Sequence, residues 1–75
     1  MSASEGFLGY GSGRYKLVGR AGQSDYYLHN GDRFEVYIGG RWLAVWVFFN
    51  GQRWVFEDRQ GQRIERDLLG LPARQ

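Results

Sequence analysis

The chain has no cysteine, one proline, one histidine and one lysine. Without cysteine there are no disulfide staples and no thiolate metal sites, which excludes the frameworks of small secreted domains and zinc ribbons and permits a reducing compartment. A lone imidazole, His29, forms no cluster, and Asp25 and Asp32 near it make a poor metal set, so no metal and no cofactor is expected. No apolar run approaches the roughly 20 residues of a membrane-spanning helix. Met1–Gly13 has neither a basic start nor an apolar signal region. The expectation is a cytoplasmic protein that does not enter a membrane.

What the chain does have is glycine and aromatic residues in quantity. Its 75 residues allow one domain, and a chain of this size buries only about 60% of its unfolded surface, so the core must be dense. A hydrophobic share of 43% and an aromatic share of 17% suit that demand, because each buried aromatic ring removes roughly 150–250 Å² from water. All basic residues except Lys16 are arginine, and the net charge is only +2. Acids lie beside them: Asp32 and Glu35 near Arg33, Glu57 and Asp58 before Arg59, Glu65 and Asp67 around Arg66. A mixed, solvated surface fits this interleaving better than the clustered charge of a nucleic-acid module.

The run Gly31–Asp58 holds all three tryptophans and four of the five phenylalanines. Within it, Phe34, Val36 and Ile38 alternate with Arg33, Glu35 and Tyr37, the period of a strand with one wet face. Gly39-Gly40 supplies positive φ at both central positions of a two-residue hairpin, and Asn50-Gly51 is a second hairpin signal. Between them, Arg41–Phe49 is apolar at nearly every position, so alternation does not say which face is buried. Gln52–Glu57 returns with Trp54 and Phe56 on one face and Val55 on the other. The run therefore reads as a three-stranded meander.

Around the meander, Met1–Gly13 reads as a flexible N-terminal arm and residues 14–75 as the folded domain. Arg14–Val18 fits a short first strand, and Gly19–Ser24 a loop. Tyr26-Tyr27-Leu28 precedes a turn at His29-Asn30-Gly31-Asp32. Arg63-Ile64 starts a short strand, Glu65–Gly70 suits one turn of 3₁₀ helix, and Leu71–Arg74 suits an edge strand that tolerates proline. Five to six short antiparallel strands with one 3₁₀ turn near the C-terminus describe an all-β, SH3-like barrel.

Two resemblances follow from these residues. Gly31-Asp32, Val36, Trp42, Val45 and Asp58 resemble the Tudor and agenet group of SH3-like modules, which implies the barrel. Tyr15, Leu28-His29-Asn30-Gly31-Asp32, Glu35-Val36, Gly40-Arg41-Trp42, Trp54 and Leu69–Arg74 resemble a family of short bacterial proteins of unknown function, over roughly residues 14 to 74. Its members are often carried by phage, plasmid or conjugative elements, so the resemblance implies a setting and no reaction. The chain departs from that family's pattern at Asn30, where a cysteine is usual, and at Trp46-Val47-Phe48, where an Arg-x-Glu triplet is usual.

Motifs with chemistry are few. His29–Asp32 is explained by turn chemistry, with Asn and Asp bonding to nearby backbone. Residues 9–13, GYGSG, lack the Lys-Ser/Thr of a phosphate loop. Glu57, Asp58, Glu65 and Asp67 read as surface charges among Arg59, Arg63 and Arg66. The chain is accordingly not expected to be an enzyme. Its sharper feature is the middle strand. If Leu43, Val45, Val47 and Phe49 face inward, then Trp42, Ala44, Trp46 and Phe48 face outward, and either register leaves aromatic rings outside. Tyr37, Arg41, Trp42, Trp46, Phe48 and Arg53 are the candidate binding residues, serving a protein partner or a second copy of the chain. The alternative is single-stranded nucleic acid stacked on the same rings, with flanking arginines on its phosphates. A cover over this face by Phe7, Leu8 and Tyr10, or by Tyr26-Tyr27, is a third possibility, and a Tudor-like cage of three aromatics for a methylated cation is a fourth.

Overall fold

A computed structural model describes residues 5–19 and 24–75. Met1–Ser4 of the expected arm and Arg20–Gln23 of the expected loop lie outside the described residues. The fold is all-β. Seven strands form one antiparallel sheet: β1 (Glu5–Gly11), β2 (Arg14–Gly19), β3 (Tyr26–Tyr27), β4 (Arg33–Ile38), β5 (Arg41–Phe49), β6 (Trp54–Glu57) and β7 (Pro72–Arg74). Their order in the sheet is β3-β2-β1-β7-β4-β5-β6, and among the described residues the two ends do not pair, so the sheet is not closed.

The expected meander is present. β4 and β5 have the bounds that alternation and glycine placement assign to them, and Gly39 and Gly40 connect them with φ of 62° and 82°. The second hairpin differs from expectation: Phe49 pairs with Trp54, which leaves Asn50–Arg53 as the loop instead of Asn50-Gly51 alone. Its longer span is held by the Asn50 carboxamide oxygen, which accepts the Gln52 and Arg53 backbone N–H groups at 2.9 Å each. This is an Asx-type turn that outcompetes the tighter ladder.

Two further expectations are corrected. Residues 5–11, read as part of a mobile arm, form β1, which pairs with β2 on one side and with β7 on the other. The alternation of Phe7, Leu8 and Tyr10 is weak because glycines occupy the positions between, and one of them is required there. A Cβ on Gly6 would collide with the carbonyl oxygen of Val18. Glu65–Gly70, read as a 3₁₀ turn, contains no helix. There the Asp67 carboxylate accepts the Leu69 N–H at 3.0 Å, and the Leu71 N–H donates to the Leu68 carbonyl at 3.2 Å across Gly70. A side chain that captures local backbone in this way competes with a helical turn.

The sheet curls around one core. Leu8, Leu17, Leu28, Phe34, Val36, Val45, Val47, Phe56, Leu68 and Ala73 form its buried cluster. Curling is visible in contacts between strands far apart in the sheet order: the Tyr15 ring of β2 packs edge-on against Phe56 of β6, with centroids 4.8 Å apart. The Trp54 indole N–H likewise donates to the Gly13 carbonyl at 3.0 Å. The turn at His29–Asp32 sits beside the same seam. Asp32 accepts the His29 N–H at 2.8 Å, and the Gly31 N–H donates to the Val47 carbonyl at 2.7 Å, extending the β5 ladder beyond β4. On β2, Lys16 lies 3.0 Å from Asp25. That hydrogen bond lifts the lysine above its ordinary pKa and, first among its causes, lowers the Asp25 carboxyl.

Candidate functional site

β5 resolves the question its sequence leaves open. Val45 and Val47 are fully buried in the core and Leu43 packs against it, so Trp42, Ala44, Trp46 and Phe48 take the opposite face. Pairing arranges their neighbours. Tyr37 stands opposite Trp42, Glu35 opposite Ala44, and Arg33 opposite Trp46 on β4. On β6, Glu57 stands opposite Trp46 and Val55 opposite Phe48. Alternation places all of these on the outer surface of the curled sheet.

Trp42 and Trp46, four residues apart on a strand, are roughly 13 Å apart along the chain. The small side chain of Ala44 lies between them. Over that gap runs a row of charge: the Arg74 guanidinium sits 3.9 Å from the Trp42 ring centroid, and its Nε donates to Glu35 at 2.8 Å. Glu35 also accepts from Arg33 at 3.4 Å, and Arg33 lies 5.7 Å from the Trp46 ring centroid. The order across the face is therefore Trp42, Arg74, Glu35, Arg33, Trp46. These arginines hold the Glu35 carboxyl below its ordinary pKa, the Arg74 hydrogen bond contributing most. Tyr37 completes one end, 42% exposed and edge-on to Trp42 with centroids 5.3 Å apart.

Of the six candidate residues, Tyr37, Trp42, Trp46 and Phe48 share this face, and Arg41 stands exposed at its hairpin end. Arg53 does not belong with them. It lies in the Asn50–Arg53 loop and lines clefts with Tyr15 and Trp54 at another part of the molecule. The loop is longer than two residues, so Arg53 leaves the ladder before it can flank Phe48. Arg33 and Arg74 take the place that sequence reasoning assigned to Arg53. Arg33 is legible as the inward-outward alternate of Phe34, but Arg74 reaches the face only because β7 inserts between β1 and β4. The third possibility, a cover of N-terminal or Tyr26-Tyr27 aromatics, is also resolved for the described residues. Leu8 is in the core, Phe7 is exposed, Tyr10 packs on Tyr15 at 4.9 Å, Tyr26 packs against the core, and Tyr27 lies under Lys16.

Several carboxylates hold nearby backbone. Asp58 accepts the Gln60 and Gln62 N–H groups, Asp67 that of Leu69, and Asp32 that of His29. Among the described residues no three metal-ligating side chains come together. Glu65 and Asp67 share a small cavity of about 200 Å³ with Tyr15, whose phenol is raised above its ordinary pKa by burial and then by the Asp67 charge.

The model of one family, described as a domain of unknown function (DUF5348), matches residues 6–75. The chain belongs to that family. Its match begins within β1 and reaches the last residue, so the domain includes the strand that sequence reading set apart as an arm. No curated protein and no solved structure matches the chain. No helix of the described residues is long and apolar enough to cross a membrane.

Proposed function

We propose that this domain is a non-enzymatic binding module that docks a protein, a second copy of itself or a different chain, on the outer face of β4 and β5. The observation that carries this reading is the grouping of Tyr37, Trp42, Trp46 and Phe48 with Arg33 and Arg74 on one surface, away from the core. Tryptophan, tyrosine and arginine are the side chains that dominate the centres of protein interfaces. Stacked guanidinium groups also hold the indoles in place before a partner arrives, which lowers the ordering cost of association.

Glu35 favours a protein over a nucleic acid at this face. It engages both Arg33 and Arg74, and Glu57 stands across from Trp46, so phosphates would meet cations already paired and carboxylates beside them. Addition of a partner strand to a sheet edge is disfavoured as well. β3 has two residues, and the outer edge of β6 is occupied by the Ile64 N–H, which donates to Phe56 at 2.8 Å. A sheet curled around a single core in this way is read as an SH3-like barrel that has opened at one seam. The proposed setting is the cytoplasm, in an accessory protein of a bacterial or mobile-element system.

Trp46→Glu tests the reading. Thermal unfolding should remain cooperative, because the substituted position faces outward. Self-association by sedimentation, or a protein captured from host lysate after nuclease treatment, should be lost. Association and capture that survive the substitution would place the interface elsewhere.

A further inference from the structure

A second group of exposed apolar side chains lies apart from the β4–β5 face. Five large hydrophobic side chains are exposed among the described residues, and three of them, Tyr10, Phe49 and Leu69, line one cleft. Their exposures are 51%, 43% and 46%. This cleft, of about 530 Å³, shares Gly13, Phe49 and Trp54 with a neighbour of about 960 Å³, so the two form one open groove across the seam of the curled sheet. Arg53 lines the first part and Arg14 the second.

The groove is built, not incidental. Trp54 is held by its indole N–H, which donates to the Gly13 carbonyl, and its ring lies 5.0 Å from Phe49 at 53°. The Phe49 backbone N–H donates to the Asn30 side chain at 3.0 Å, anchoring the end of β5. Gly13 belongs to the β1–β2 turn, where Ser12 and Gly13 take φ of 56° and 80°. Two separate turns thus position one pair of aromatic rings in a groove whose lining includes Arg14 and Arg53.

Neither part of the groove has a carboxylate among its described lining residues, and the adjoining cleft, which shares Tyr15, Arg53 and Trp54, adds Glu65 and Asp67 together with Arg63 and Arg66, so cations stay in excess. His29 also lines it, 3.5 Å from the Asp32 carboxylate, and the arginines of the groove itself are Arg14 and Arg53. We infer that this groove binds single-stranded nucleic acid, with bases stacked on Phe49 and Trp54 and phosphates on Arg14 and Arg53. An acidic peptide would satisfy the arginines, but a nucleic-acid strand brings both a planar base and a charge at every unit, which matches a ring pair in a groove lined by two arginines.

The full chain is titrated against a fluorescently labelled oligothymidylate of about ten nucleotides, within the usual site sizes of such grooves, followed by anisotropy. Two phosphate contacts predict that a tenfold rise in salt weakens binding about 25-fold. Phe49→Ala should weaken it about tenfold and Arg53→Glu more, each with cooperative thermal unfolding retained. Arg53→Gln replaces Arg53→Glu if the charge reversal prevents folding. Arg59→Glu, with the same charge change in the Asp58–Gly61 turn, should leave the affinity as it is. The inference is overturned by failure to bind the oligonucleotide, or by binding indifferent to Phe49→Ala and Arg53→Gln. Equal loss with Arg59→Glu overturns it too, as does equally tight binding of an oligoglutamate peptide. None of these results bears on the β4–β5 face, which shares no residue with the groove.

Discussion

The Arg74 guanidinium lies 3.9 Å from the Trp42 ring centroid, so the last strand of the chain reaches across β4 to cover a tryptophan of β5. It also bonds Glu35, directly opposite it in the β4–β7 ladder. One side chain therefore ties three strands together and shapes the proposed interface at the same time.

Arg74→Ala should cost roughly 1 kcal/mol of stability, the sum of a partly solvated cation–π contact and a partly exposed ion pair. It should also flatten the acid limb. The Glu35 carboxyl is lowered by the Arg74 hydrogen bond, so the stability it contributes is present above its unfolded-state pKa and is lost as pH falls through the lower folded value. Thermal unfolding of both proteins between neutral and acid pH checks this: the difference between them should shrink as Glu35 becomes protonated.

Gly6→Ala should destabilise the fold by about 3 kcal/mol or more, above the usual range for overpacking, because the added methyl meets the rigid backbone of Val18 instead of a side chain that can move. Gly13→Ala meets no such contact, but it must adopt φ near 80° and should cost about 1 kcal/mol. Denaturant unfolding of the two variants separates the effects. A silent Gly6→Ala would mean that β1 detaches from the sheet.

Val47→Asp should abolish cooperative folding, whereas Phe48→Asp should leave it in place. Val47 is fully buried in the core, and an unpaired carboxylate there costs several kcal/mol. Phe48 is half-buried on the outer face opposite Val55. Because adjacent strand residues point to opposite faces, this pair reads the register in one experiment, by near-ultraviolet circular dichroism and thermal unfolding.

Trp54→Phe keeps an aromatic ring but removes the donor to Gly13, and it should cost about 1–2 kcal/mol. Amide exchange should accelerate in the β1–β2 turn more than in β4, since this bond spans the seam and the β4–β5 ladder does not depend on it.

Much of the architecture is legible locally. The bounds of β4 and β5 follow from alternation and from two glycines with positive φ, and His29–Asp32 forms the side-chain-capped turn that its residue types imply. β1 is illegible for the same local reason: Gly6, Gly9 and Gly11 weaken its propensity, and the value of Gly6 and Gly9 lies in close approach to β2, which no window of sequence contains. The Asn50 loop and the Asp67 turn were misread where a side chain competes with the backbone for hydrogen bonds.

The candidate site divides along the same line. Residue types and their period alone determine that this is an all-β domain whose β5 carries more apolar side chains than one face can bury. Which face is buried, and what lies over the other, depends on partners distant in the chain. β7 inserts between β1 and β4 and brings Arg74 onto Trp42, and the longer loop carries Arg53 away to a different groove. A strand's own pattern specifies two faces, but only the order of strands in the sheet decides which side chains meet on them, because ladder pairing joins residues without regard to their separation in sequence.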